Sequence, residues 1–116
     1  MTAYHRQKGS TFERLVADYL KANGFPFADR RVKTGNKDRG DIGGVHASNQ
    51  PVVLECKNTT KINLGVWAGE AETERLNDDA LAGVVVHKRH GKGKAGDQWV
   101  TLTLADLIAI LTGVRP

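Results

Sequence analysis

The sequence predicts an α/β domain in which a mixed central sheet is flanked by helices, in the order α-β-β-β-α-β followed by one more strand and helix. Three observations carry this. A capped amphipathic stretch opens the chain, the run Pro51-Val52-Val53-Leu54 breaks abruptly into Glu55-Cys56-Lys57, and Val84-Val85-Val86 is the continuous apolar run of a strand covered on both faces. With 116 residues, 40% hydrophobic and 26% charged, the chain has the length of one domain, residues 1–116, and a globular composition that sets disorder aside.

Ser10-Thr11-Phe12-Glu13 has the form of a capping box, and Phe12, Leu15, Val16, Tyr19 and Leu20 recur at helical spacing as far as Gly24. A first helix is therefore predicted over residues 11–23. Residues 1–9, with Arg6 and Lys8, read as a basic mobile arm or simply a frayed terminus. Residues 25–33 read as extended and residues 34–40 as a turn-rich charged loop. Residues 41–47 and 51–57 form a hairpin joined through Ser48-Asn49-Gln50. A helix over residues 64–82, ended by Gly83, turns Trp67, Ala68, Ala71 and Leu81 inward. After the 84–86 strand come a loop at residues 87–94, a strand at 99–103, and a final helix. There Thr103 and Asp106 make a second capping box, and Leu104, Leu107, Ile108 and Leu111 form an apolar stripe widened by Ile110. Phe12, Trp67 and Trp99 are expected in the core.

Charge is unevenly distributed. Arg30, Arg31, Lys33, Lys37 and Arg39 crowd the approach to Asp41, and Lys88, Arg89, Lys92 and Lys94 fill a stretch without acids, whereas Glu70, Glu72, Glu74, Asp78 and Asp79 gather on the second helix. With a net charge of +4, such segregation suits a polyanion, although basic loops are also commonly just solvated. His87 and His90 could meet phosphate or, more simply, face water. No apolar run reaches the roughly 20 residues of a membrane span. The polar start lacks the apolar stretch of a secretory signal, so a cytoplasmic location is expected. The single Cys56 cannot form an intramolecular disulfide. Neither a zinc-spaced Cys/His cluster nor a phosphate-binding loop motif occurs.

The constellation Asp41, Glu55 and Lys57 carries the chemistry. Glu55 and Lys57 share a strand face, with Cys56 turned the other way into the core. If the hairpin turn centres on Asn49, paired indices sum to about 98, which brings Asp41 opposite Lys57 and Gly43 opposite Glu55. A slip of one residue would move Asp41 to the other face. Two opposite charges at the end of an apolar strand cost several kcal/mol per ion unless compensated, and a divalent cation between Glu55 and a second carboxylate would compensate them. A plain Glu55–Lys57 ion pair is the competing reading. Gly43 and Gly44 either leave room beside Glu55 for a metal or phosphate backbone, or mark a bulge.

The order Glu13 on the first helix, Gly40-Asp41-Ile42 at a strand start and Glu55-Cys56-Lys57 at the next strand's end resembles the PD-(D/E)xK nuclease superfamily, with Gly40 in place of the leading proline. Within it, Lys8-Gly9-Ser10 ahead of Glu13 is most similar to archaeal-type Holliday-junction resolvases. The likeness covers about the first two thirds of the chain. The last third matches only in strand and helix order. The resemblance implies a restriction-endonuclease-like core and a Mg2+-dependent endonuclease, with Mn2+ able to substitute, that hydrolyses phosphodiester bonds in branched DNA. Duplex- or flap-directed cleavage, or a non-catalytic DNA-binding module, are the alternatives. It also implies Asp41, Glu55 and the Cys56 carbonyl as metal ligands, and Lys57 as the group that orients the attacking water. Glu13 would hold a second ion or a water, unless it only caps its helix. The basic arm and loops would contact DNA, and two-fold junction symmetry would call for a homodimer.

Overall fold

The computed structural model describes residues 2–32, 35 and 37–116; Met1, Lys33, Thr34 and Asn36 of the predicted arm and loop lie outside the described residues. The first helix, α1, runs Ala3–Ala22, capped by Thr2, whose hydroxyl accepts from the His5 amide at 3.2 Å. Residues 3–9 thus extend the helix and do not form a separate arm. Ser10 and Glu13 do not cap it, because they lie in the middle of the helix, where Arg30 donates to the Ser10 hydroxyl at 3.2 Å and to Glu13 Oε1 at 3.0 Å. α1 buries Phe12, Val16 and Ala17.

The strands are β1 (Asp29–Arg30), β2 (Ile42–Gly43), β3 (His46–Ala47), β4 (Gln50–Lys57), β5 (Ala82–His87) and β6 (Trp99–Thr101). They form one mixed sheet in the order β1-β2-β4-β5-β6, with β3 paired to β4; only β4 and β5 are parallel. Their crossover is α2 (Leu64–Asn77), capped by Asn63. The predicted helix overshot by five residues, because Gly83 is a strand residue. A Cβ there would sit 2.7 Å from the Ala71 carbonyl, so the missing side chain is what lets α2 lie directly on β5. One face of the sheet packs Val52, Leu54, Val84 and Val86 against α1, with Cys56 at its edge. Trp67 and Ala71 of α2 cover Val85 on the other.

The hairpin explains how the chemistry-bearing residues meet. Ser48 and Asn49 both have positive φ, 52° and 60°, giving a two-residue turn of the type hairpins favour. The turn centres between these residues and not on Asn49, so His46 pairs with Pro51 and Ala47 with Gln50, indices summing to 97. Continued unchanged, an odd sum would send Asp41 and Glu55 to opposite faces. Ile42, however, pairs with Leu54, a sum of 96. Four residues on the first strand thus span three on the second, and the extra residue is a bulge around Gly44, whose φ is +81°. Gly43 offers no space beside Glu55, since the Arg31 guanidinium covers it.

The last helix, α3 (Leu104–Thr112), is capped by Thr103 as expected, with the Asp106 amide donating to the Thr103 hydroxyl at 3.2 Å. Its inward face is nevertheless Asp106 and Ala109, with Ile110 against the core. The predicted stripe turns outward, with Leu104 and Leu111 71% and 74% exposed. Asp106 dictates this rotation: it accepts from the Gly83 amide and from Arg115 at 2.7 Å, and only an inward carboxylate can do both. Burial alone would raise the pKa of Asp106, but hydrogen bonds from Arg115, Thr103 and Gly83 hold it below the ordinary carboxylate value. Trp99 is also not core; it is half-exposed, with the Arg89 guanidinium 4.3 Å above its ring.

Gly44→Ala will test the bulge. An added Cβ would lie 2.1 Å from the Phe27 carbonyl on a backbone with positive φ, so urea unfolding should show a loss of about 3 kcal/mol or more. Gly9→Ala, in open space within α1, should instead gain up to about 1 kcal/mol.

Candidate functional site

Glu55 and Lys57 project from the end of β4 toward α2, as strand alternation requires, and Cys56 packs on the α1 side. Asp41 precedes β2. Its Oδ2 accepts from the Cys56 amide at 2.8 Å, replacing the next rung of the β2–β4 ladder. This contact fixes the Asp41 carboxylate, 6% exposed, within hydrogen-bonding reach of Glu55, 4% exposed. The two acids meet as the sequence suggested, but through a bulge and a side-chain-to-backbone bond.

Two further carboxylates complete the cluster. Trp67, Ala71 and Glu74 follow helical spacing and form the buried stripe of α2, so the packing that buries Trp67 also delivers Glu74, 2% exposed, to Glu55. Asp38 arrives from the loop before β2. Its Oδ1 accepts from the Gly40 amide at 2.9 Å, and its carbonyl accepts from Asn77 at 2.8 Å. Ligand oxygens of Asp38, Glu55 and Glu74 all lie within 4.8 Å of one another. These three could hold a metal ion. Neither Asp38 nor Glu74 was expected at the site. Glu74 was read only as one of the acids gathered on the second helix, although its spacing from Trp67 and Ala71 marks it as inward.

Such crowding disturbs titration. Burial first, then the hydrogen bonds and charges of Asp41 and Glu74, push Glu55 far above the ordinary carboxylate range. Burial, with the charges of Asp38 and Asp41, pushes Glu74 up to about 7 despite an opposing hydrogen bond from Glu55. Glu74 Oε1 is buried with no hydrogen-bond partner. Unpaired buried acids are costly, and a cation among them would relieve both repulsion and desolvation. Lys57 stands beside the cluster, but its Nζ donates to both oxygens of Glu70, at 3.0 and 3.2 Å. Partial burial lowers its pKa, but Glu70, Glu55 and Asp41 together outweigh that effect and raise it. Glu13 is engaged by Arg30. Burial, and after it the charges of Asp41, Glu13, Glu55 and Glu74, raise the pKa of the Cys56 thiol.

Arg30 and Arg31 are held in ion pairs with Glu13 and with Asp78, the latter at 3.2 Å. Lys37 and Arg39 flank Asp38 in the chain and are exposed, as is Arg6 on α1. Lys88 hydrogen-bonds the Arg89 and Lys92 carbonyls, while Lys92 and Lys94 lie exposed in their loop. His87 is not a loop residue. It ends β5, buried, with its ring against Trp67 and Nε2 at 2.8 Å from the Thr101 hydroxyl, and burial lowers its pKa. His90 is exposed, its ring 2.9 Å from the Thr59 carbonyl. Among the described residues no helix is long and apolar enough to cross a membrane.

No protein-family model, curated protein or solved structure matches this chain. The class that fold and site define is therefore an α/β domain with a mixed sheet and an acidic site able to hold a metal.

Without metal, thermal stability should report the cluster. The folded pKa of Glu74 lies above its ordinary 4.5, so the stability it supports with its proton on is lost as pH rises from about 4.5 through about 7. His87, depressed in the fold, acts in the opposite sense, so the comparison must be with Glu74→Gln. The two proteins should melt together at pH 5, the parent should melt lower at pH 8 in EDTA, and saturating Mg2+ or Mn2+ should reverse that order.

Proposed function

We propose that this chain is a metal-dependent nuclease with a restriction-endonuclease-like core, and more particularly that it is a Mg2+-dependent endonuclease resolving four-way DNA junctions. The observation that carries the reading is the convergence of Asp38, Asp41, Glu55 and Glu74 at the end of β4, with Lys57 alongside. Asp38, Glu55 and Glu74 all offer hard carboxylate oxygens, the donor type Mg2+ prefers, and the partnerless Oε1 of Glu74 is an acceptor waiting for a cation. Asp38, Glu55 and Glu74 would hold the ion, with Asp41 bracing Glu55 from the β2 side. Bound there, Mg2+ supplies counter-charge for a phosphodiester and makes water a nucleophile at neutral pH.

The protein's own groups do the rest. Lys57, released from Glu70 by an incoming phosphate, orients the attacking water and offsets charge gathering on the phosphate oxygens. The ladder-like bond from the Cys56 amide keeps Asp41 from following its charge into solvent. Lys37, Arg39 and the 88–94 loop provide the salt-sensitive attraction for the polyanion. Symmetric incision of a junction requires two such sites, and a homodimer supplies them. The outward residues Leu104, Ile108 and Leu111 of α3, together with Val100 of β6, offer apolar surface for that contact.

Cleavage of a synthetic four-way junction, a flap and a linear duplex at equal salt, with Mg2+ titrated against EDTA, tests the reading. Asp41→Asn, Glu55→Gln and Glu74→Gln should each slow junction incision by about 100-fold or more, with binding retained. Full-rate incision by Glu55→Gln, or incision in EDTA, would rule it out. By sedimentation the protein should run as a dimer, and Leu104→Asp with Leu111→Asp should run as a monomer with its helical signal intact.

A further inference from the structure

The first two turns of α1 reach past the sheet, and what they build is a second cleft. Tyr4, Gln7, Lys8, Thr11 and Leu15 recur at helical spacing along one stripe, and they face Asn58 and Lys88 across a cleft of about 480 Å³ floored by Phe12. The opposite wall is set by the sheet: Asn58 follows Lys57 directly, and the Lys88 amide donates to the Lys57 carbonyl at 2.9 Å. The cleft thus opens at the end of the sheet that carries the acidic cluster, but on the α1 side. Among the described residues its lining holds two lysines and no carboxylate, the reverse of the neighbouring site. Its volume is that of a small-ligand pocket and far too small for a duplex.

Chemically the walls are graded. Phe12, Leu15 and the Tyr4 ring offer apolar and aromatic surface, Gln7 and Asn58 offer amides, and Lys8 stands where an anion would be neutralised, while the Lys88 ammonium is turned to the Arg89 and Lys92 carbonyls of its own loop. Asn58 forms part of the wall, with its Oδ1 buried beneath the cleft surface. A planar base with exocyclic hydrogen-bonding groups, joined to a phosphate, matches all three parts of this surface.

We propose that this cleft receives one unstacked nucleotide of the DNA strand, held beside the acidic cluster. The inference rests on the nuclease reading above and adds a preference within it: a branch point or other unpaired position offers a free nucleotide at little cost, whereas an intact duplex must first be unstacked. The extension of α1 through residues 3–9 is what makes the cleft, since Tyr4, Gln7 and Lys8 supply one side of it.

The test measures binding in EDTA of two oligonucleotide duplexes, one fully paired and one with a single unpaired 2-aminopurine. The parent protein should bind the second about tenfold more tightly and change the emission of its 2-aminopurine. Thr11→Trp and Gln7→Trp, at exposed positions of α1, fill the cleft; each should bring the ratio of affinities close to one and abolish the emission change. Equal affinity of the parent for both duplexes, or a preference that survives both substitutions, would overturn the cleft assignment while leaving the nuclease reading standing. Binding to neither duplex would remove both.

Discussion

The parity of one hairpin decides whether this chain has a site. Its two-residue turn at Ser48-Asn49 sets an odd register, and the sequence between the turn and Asp41 must absorb one extra residue if Asp41 is to reach Glu55. Gly44 absorbs it. The bulge succeeds because the Phe27 carbonyl occupies the place a side chain would take, so the insertion is locked between two strands and cannot migrate along the hairpin. β1, β2 and β4 are all fixed relative to one another at this point, and the Asp41–Cys56 bond becomes possible only beyond it.

The other half of the site depends on a close approach. α2 lies on β5 at Ala71 and Gly83 with backbone nearly against strand, and Glu74, one turn further along, is carried to Glu55 whether or not its charge is welcome. The fold spends packing energy from Trp67 and Ala71 to impose an electrostatically unfavourable neighbour. Local rules violated at the cost of stability are the mark of a place selected for something other than stability. Asp106 is the instructive contrast. It is equally buried, yet Gly83, Thr103 and Arg115 satisfy it from three directions and its pKa falls. Glu55 and Glu74 have mostly each other, and theirs rise.

Much of this was legible in the sequence, and the failures have physical reasons. Strand alternation correctly assigned Glu55, Cys56 and Lys57 to their faces, and helical spacing found Phe12, Val16, Trp67 and Ala71. Local motifs misled where more distant residues decided the outcome. Ser10 and Glu13 have the spacing of a cap, but Thr2 caps the helix and leaves both in its middle, where Arg30 engages them. The α3 stripe pointed to the core by hydropathy alone, and Asp106, by binding Gly83 and Arg115, rotated the helix against it. Asp38 was beyond reach, because nothing local distinguishes a ligand in a charged loop from a turn residue. Glu74 was within reach, since Trp67 and Ala71 already defined its stripe.

The cations show why composition alone could not locate a binding face. Arg30 and Arg31 sit next to the site in sequence, yet their charge is answered by Glu13 and Asp78, and the residues do structural duty between β1, α1 and α2. The 88–94 loop is different in kind. Gln98, buried at its base, accepts from the Arg89 amide at 2.7 Å and donates to the Lys92 and Lys94 carbonyls at 3.0 and 2.8 Å. One neutral side chain thereby holds the loop's backbone from within. Arg89 rests on Trp99, which keeps its charge at the surface on an apolar support. The basic loop thus lies at one end of β5, and the acids lie next to that end on β4. On the proposed nuclease reading, this neighbourhood would draw a phosphate close to carboxylates that would otherwise exclude it.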